Sequence, residues 1–149
     1  MKYILNLSLF FLSINFYAQT ATDYFNKGMA KSHARATQII GNEKNTNDTK
    51  QAVELYTKAI QLNPNYTEAY FNRGIALVKL LDYSDAVDDF SKTIELNPKY
   101  KIAYFYRGCY KIYAKQDKDS ACADLQKAFE MGYKKKRVQQ YMVRYGCNH

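Results

Sequence analysis

The chain has 149 residues, 47% of them apolar, and carries a formal net charge of +8. That length suits one domain and excludes two of ordinary size, while the apolar share is too high for wholesale disorder. Only two Pro, with plentiful Ala, Lys, Leu and Tyr, favour long helices over a loop-rich β fold.

Residues 1–18 read as a secretory signal outside the fold. Lys2 supplies the positive start, Ile4 to Phe16 is mostly apolar, and small Ala18 suits the position before a signal-peptidase cut. Asn6, Ser8, Ser13 and Asn15 break the apolar run, which is short for a transmembrane anchor. An uncleaved anchor is the rival reading. No Cys lies near the cut, so a lipid-modified N-terminus is not indicated. Residues 19–149 are therefore expected in the periplasm or outside the cell. A basic chain in the cytoplasm would point to nucleic acid; an exported one points instead to acidic proteins or anionic surfaces, and no nucleic-acid partner is expected.

Apolar periodicity predicts helices near 21–40, 49–62, 67–80, 84–96, 101–114, 119–131 and 135–145. The polar stretch Gly41-Asn42-Glu43-Lys44-Asn45-Thr46-Asn47-Asp48 is expected to be a connection between the first two. Self-comparison then shows a period. Ala69-Tyr70-Phe71-Asn72-Arg73-Gly74 recurs 34 residues later as Ala103-Tyr104-Phe105-Tyr106-Arg107-Gly108. Leu62-Asn63-Pro64-Asn65-Tyr66 recurs at the same offset as Leu96-Asn97-Pro98-Lys99-Tyr100, and Ala52-Val53 as Ala86-Val87. A fixed period of this length is the mark of a stacked helical array.

The order Tyr, Gly, Ala, Phe, Pro within 34 residues resembles the tetratricopeptide repeat. The second unit, 67–100, carries Tyr70, Gly74, Leu77, Ala86, Phe90 and Pro98 at the family's places, with Tyr70 where Trp is usual and Thr93 where a small Ala is customary. The third, 101–134, keeps Tyr104, Gly108, Ala121, Leu125 and Ala128 with one extra residue in its turn, and Gly132 replaces the terminal Pro. The first, 21–66, keeps Tyr24, Gly28, Ala52, Tyr56, Ala59 and Pro64, with about twelve extra residues between its helices. The resemblance implies an all-α, short right-handed α-solenoid of about seven helices. Gly74 and Ala86 let paired helices cross closely, Pro98 ends a unit, and stacked units bury what one cannot. Val138, Tyr141, Met142 and Tyr145 share one side of a capping helix over 135–145.

The family's inward positions, carried onto this chain, give Phe25, Asn26, Met29 and His33 in the first unit. They give Phe71, Asn72, Ile75, Val78 and Lys79 in the second, and Phe105, Tyr106, Cys109, Ile112 and Tyr113 in the third. The subgroup that grips C-terminal carboxylates needs polar or cationic groups where Phe25, Met29, Ile102 and Tyr106 stand; only Asn72 fits. An apolar groove suits a peptide or helix anchored by aromatic contacts. The competing reading has the first helix or a second copy covering it.

Lys134-Lys135-Lys136-Arg137 opposes the positive end of a helix dipole, so helix stability does not explain it. A solvated face is the plain reading; an acidic partner or anionic lipid surface is the sharper one. Asp82, Asp85, Asp88 and Asp89 offer a complementary patch for self-association. Of the three Cys, Cys122 and Cys147 are the expected disulfide, pinning the cap, although sequence alone does not fix the pairing. Cys109 is then a small buried apolar residue. His33 and His149 are the only His; with no metal, phosphate-loop or nucleophile motif, no metal, cofactor or catalytic residue is expected. The function expected is non-catalytic binding of a peptide or helix in the concave groove. The alternative is a structural, self-associating subunit of an envelope complex.

Overall fold

The computed structural model describes residues 20–33 and 43–147. The signal reading, residues 34–40 of the predicted first helix, and His149 lie outside the described residues. Seven helices are present among those described: α1 (20–33), α2 (Glu43–Leu62), α3 (Thr67–Lys79), α4 (Tyr83–Leu96), α5 (Lys101–Tyr113), α6 (Lys118–Glu130) and α7 (Lys135–Arg144). No strand occurs among the described residues. From α2 to α7 each helix packs on the next along the chain. The units are the pairs α1–α2, α3–α4 and α5–α6, with α7 closing the stack.

The turns between units repeat. Asn63 and Asn97 each accept a backbone N–H two residues on through the side-chain carbonyl, at 3.1 and 3.0 Å. Their backbone carbonyls receive Tyr66 and Tyr100 at 3.1 and 3.0 Å. With the Pro in between, this fixes where the next helix starts. The ends of α3, α5, α6 and α7 close with a residue at positive φ: Leu81, Lys115, Gly132 and Gly146. The N–H after each reaches back to the carbonyl of Leu77, Lys111, Ala128 or Met142, at 2.8–3.0 Å, the arrangement that satisfies otherwise orphaned helix carbonyls.

Close crossing within each unit depends on a glycine. A Cβ on Gly28 would stand 2.7 Å from the Tyr56 ring, one on Gly74 2.8 Å from Phe90, and one on Gly108 2.8 Å from the Ala121 carbonyl oxygen and 3.0 Å from Leu125. Tyr56, Phe90 and Leu125 are the corresponding residues of α2, α4 and α6, and all three are fully buried. The twelve-residue enlargement of the first unit therefore leaves its helix crossing unchanged.

Of the expected connection over Gly41–Asp48, residues 43–48 are corrected by the structure, because α2 begins at Glu43; Gly41 and Asn42 lie outside the described residues. Between Glu43 and Leu62 there is no Gly or Pro to interrupt a helix. Polarity there reports solvent rather than backbone. The extension is anchored at its inner end: Thr49 is buried and Asp48 meets Lys31 of α1 at 3.5 Å.

A polar ladder runs through the packing. Arg73 of α3 donates to both Asp89 oxygens at 2.8 and 2.7 Å, and to the Thr57 hydroxyl of the preceding unit at 3.0 Å. Arg107 of α5 repeats this with Asp124 at 2.8 and 2.6 Å and with Ser91 at 3.3 Å. Lys111 adds a second cation to Asp124 at 2.8 Å. Both aspartates are buried, so their charges depend on this two-pronged pairing. Each arginine also lies 5.7 Å from the ring of the tyrosine three residues earlier, Tyr70 or Tyr104.

Candidate functional site

Helices α1, α3, α5 and α7 lie side by side along one face. Lys79 at the end of α3 donates to the Ser32 carbonyl of α1 at 3.2 Å. The Phe71 ring of α3 meets Tyr106 of α5 at 5.8 Å, and Phe105 of α5 meets Tyr141 of α7 at 5.2 Å.

The expected groove residues divide into two groups. Phe71 is 9% exposed and Phe105 2%: Phe71 is corrected from groove lining to core, while Phe105, though nearly all buried, contributes to the wall of a cavity at the C-terminal end of the face. Phe71 is locked among Phe90, Tyr100 and Tyr106, and Phe105 among Tyr106, Tyr133 and Tyr141. The physical reason is ring size: at an inward position close to the neighbouring unit, a phenyl ring reaches the seam between units and is buried there. Cys109 is also buried, and burial pushes its thiol up to about 12. Phe25 is half-buried against Tyr56 and Tyr66, and Met29, Ile75, Val78 and Ile112 are half-buried too. Asn26, His33, Lys79 and Tyr113 are exposed. Asn72 is half-buried, with its side-chain amide on the Glu68 carbonyl at 2.8 Å.

At the C-terminal end this face opens into a cavity of about 240 Å³, lined by Tyr83, Phe105, Tyr106, Cys109, Tyr110, Tyr113, Arg137 and Tyr141. Tyr106, Tyr110 and Tyr83 form a column of nearly parallel rings, each pair inclined by only 12°. Burial raises the Tyr110 hydroxyl to about 12. The hydroxyl of Tyr145 donates to that of Tyr113 at 3.3 Å. The guanidinium of Arg137 lies 5.6 Å from the Phe105 ring and 5.9 Å from Tyr141.

Tyr83, Tyr110 and Tyr141 were missed as lining residues by carrying over family positions. A signal was present in the stripe Tyr106, Tyr110, Tyr113, spaced i, i+4, i+7 on one side of α5. The four cations of the expected basic patch also divide. Arg137, itself exposed, also lines the cavity, and Lys134 and Lys135, exposed too, extend over the rings of Tyr133 and Phe129 at 5.8 and 5.4 Å. Lys136 is exposed. Cys122 and Cys147 form a disulfide of S–S 1.97 Å, tying the end of α7 to α6. Among the described residues, no group of three or more His, Cys, Asp and Glu is placed to hold a metal, and no helix is long and apolar enough to cross a membrane.

Residues 45–80 match the family model of the TPR repeat, and residues 67–100 that of the tetratricopeptide repeat. A stretch of 41 residues is 44% identical to an uncharacterized protein of Methanocaldococcus jannaschii, a match spanning 28% of this chain and 48% of that relative. Among solved structures, the first TPR domain of Spaghetti (RPAP3) bound to the HSP90 peptide SRMEEVD superposes with a TM-score of 0.73. It is 20% identical and covers 87% of this chain and 92% of that one. The Arabidopsis OM64 TPR domain gives 0.72 at 24% identity, over 87% and 96%. The TPR2B domain of yeast Sti1, in a pHsp70 complex, gives 0.72 at 24%, over 86% and 97%. At these identities the likeness is one of fold.

Proposed function

With the chain a tetratricopeptide-repeat protein whose flanking helices continue the stack of residues 45–100, we propose that it is a non-catalytic protein-binding module. It holds a peptide or helix of another protein along the face of α1, α3, α5 and α7. The observation that carries this reading is the aromatic cavity in which that face ends. The peptide bound to the Spaghetti domain supports it by analogy of fold. With Phe71 in the core, the ligand meets Asn26, Asn72, Ile75, Val78, Lys79, Tyr106 and Tyr113 instead.

The reading includes export with cleavage near Ala18, supported by residues 1–18 and by a disulfide suited to an oxidising compartment. N-terminal sequencing of protein recovered from an envelope fraction tests it; a mature chain retaining Lys2 would exclude cleavage.

Binding is tested by selecting displayed random peptides on residues 19–149 and titrating those enriched. In Asn26→Glu with Asn72→Glu, two carboxylates project from the face without entering the core, and affinity is expected to fall by about tenfold or more, an ordinary hot-spot loss. If no peptide is enriched, or if the double variant binds them as wild type does, this face is not the binding surface. The second reading, a structural subunit assembling through α7, is favoured by its exposed Lys134, Lys135 and Lys136. It predicts an oligomer that Lys-to-Glu changes at those positions dissolve.

A further inference from the structure

The helices on either side of the tyrosine cavity share an unusual charge pattern. Neither α5 (KIAYFYRGCYKIY) nor α7 (KKRVQQYMVR) contains a single Asp or Glu. On α5, Arg107 and Lys111 are both paired with Asp124 of α6. On α7, Lys135, Lys136, Arg137 and Arg144 form no ion pair with any carboxylate among the described residues. These cations sit largely at the start of the helix, where its dipole disfavours positive charge. Arg137 rests against the rings of Phe105 and Tyr141 instead of an acid, and its guanidinium forms part of the cavity wall.

A cavity of about 240 Å³ holds one side chain rather than a helix. Its walls are mostly Phe and Tyr side chains, whose ring carbons accept aliphatic contact, with the tyrosine hydroxyls as hydrogen-bond donors. Its one cation is a guanidinium, the group whose fork fits a carboxylate. We propose that this cavity is a subsite for an acidic side chain, a Glu or Asp within an otherwise aliphatic segment of a partner protein. Its carboxylate meets Arg137, and its methylenes lie on the rings of Tyr106 and Tyr110. The proposal rests on the peptide-binding reading and names the chemistry of the ligand. The acidic charge of the ligand complements the basic net charge of the chain, and the exposed lysines of α7 steer it toward the cavity.

The test uses three fluorescein-labelled peptides of alternating sequence, (Leu-Glu)₄, (Leu-Gln)₄ and (Leu-Lys)₄, acetylated and amidated so that only side-chain charge differs. Anisotropy titrations are run on residues 19–149 with the disulfide intact. The Glu peptide is expected to bind at least about tenfold more tightly than the Gln peptide, the scale of one charge-assisted pair, and the Lys peptide not at all. Arg137→Met keeps the side-chain length and removes the charge; it is expected to erase the Glu-over-Gln preference. Lys135→Gln with Lys136→Gln is expected to keep most of that preference while reducing its salt dependence. Equal loss in both variants would show diffuse attraction to a basic helix and overturn the subsite. Binding of randomly selected peptides with no preference for acid would overturn it too, yet leave the peptide-binding reading standing. If neither these peptides nor the selected ones bind, both readings fall together.

Discussion

Both α1 and α7 cover an end of the stack, but they are held there differently. Helix α1 is seated on rings: Gly28 lies over Tyr56, and Phe25 rests on Tyr56 and Tyr66. The Ser32 hydroxyl meets that of Tyr56 at 3.0 Å, while the ion pair from Lys31 to Asp48 is long and partly exposed. Helix α7 buries Val138 completely and is tied at its far end by Cys147. The contrast follows from connectivity. Helix α1 belongs to a unit and has a second helix to cross. Helix α7 is a half unit with only α6 and α5 beneath it, and a covalent bond makes up for the missing partner.

Removing that bond breaks the comparison most strongly. Closing a loop of sequence separation 25 contributes about 3.5 kcal/mol in the chain-entropy model. Cys147→Ser is expected to lower unfolding free energy by about that amount in denaturant titration, with amide exchange rising in α7 and staying unchanged in α1. Equal loosening of both ends would show the array to unfold as one unit. A smaller effect separates the glycine seats. Gly108→Ala forces Cβ against a backbone carbonyl, so α5 and α6 must part, whereas Gly28→Ala meets side-chain atoms of Tyr56 and no backbone. The expected costs are about 3 kcal/mol and about 1 kcal/mol respectively, each after the gain Ala brings to a helix. The smallest effect is alkaline. Burial raises Tyr56 near α1, and Tyr100, Tyr110 and Tyr133 toward the other end, with Tyr110 reaching about 12. A phenol whose folded pKa is raised contributes stability that is complete below the unfolded value of 10.0 and is lost as pH climbs toward the folded one. Thermal midpoints are therefore expected to hold up to about pH 9 and to fall between about pH 10 and 12. A flat profile through pH 12 would mean that these rings ionise in place.

Much of this architecture was legible because small and cyclic residues leave period-specific marks. Gly28, Gly74, Gly108, Pro64 and Pro98 gave the register, the helix count and the size of the first unit's enlargement. What stayed hidden were features that depend on side-chain reach. No helical pattern distinguishes a phenylalanine lining a groove from one crossing a seam, so the burial of Phe71 was not legible. The helical character of Glu43–Asp48 was masked by its polarity. The cavity joins residues of three helices, Tyr83, Tyr110 and Tyr141, that no linear spacing connects.

The ladder of arginines carries an instruction about array length. Each rung needs a hydroxyl on the unit before, an arginine, and an aspartate on the unit's own second helix. At the first unit, Lys27 and Leu55 stand where Arg73 and Asp89 stand later; at the far end Gln126 replaces the hydroxyl and Met142 the arginine. Only residues 67–100 thus carry all three members, the arginine and aspartate of their own rung and the hydroxyl of the next. A tandem duplication of residues 67–100 would place a complete rung at each new junction, and the protein should grow by one unit without redesign.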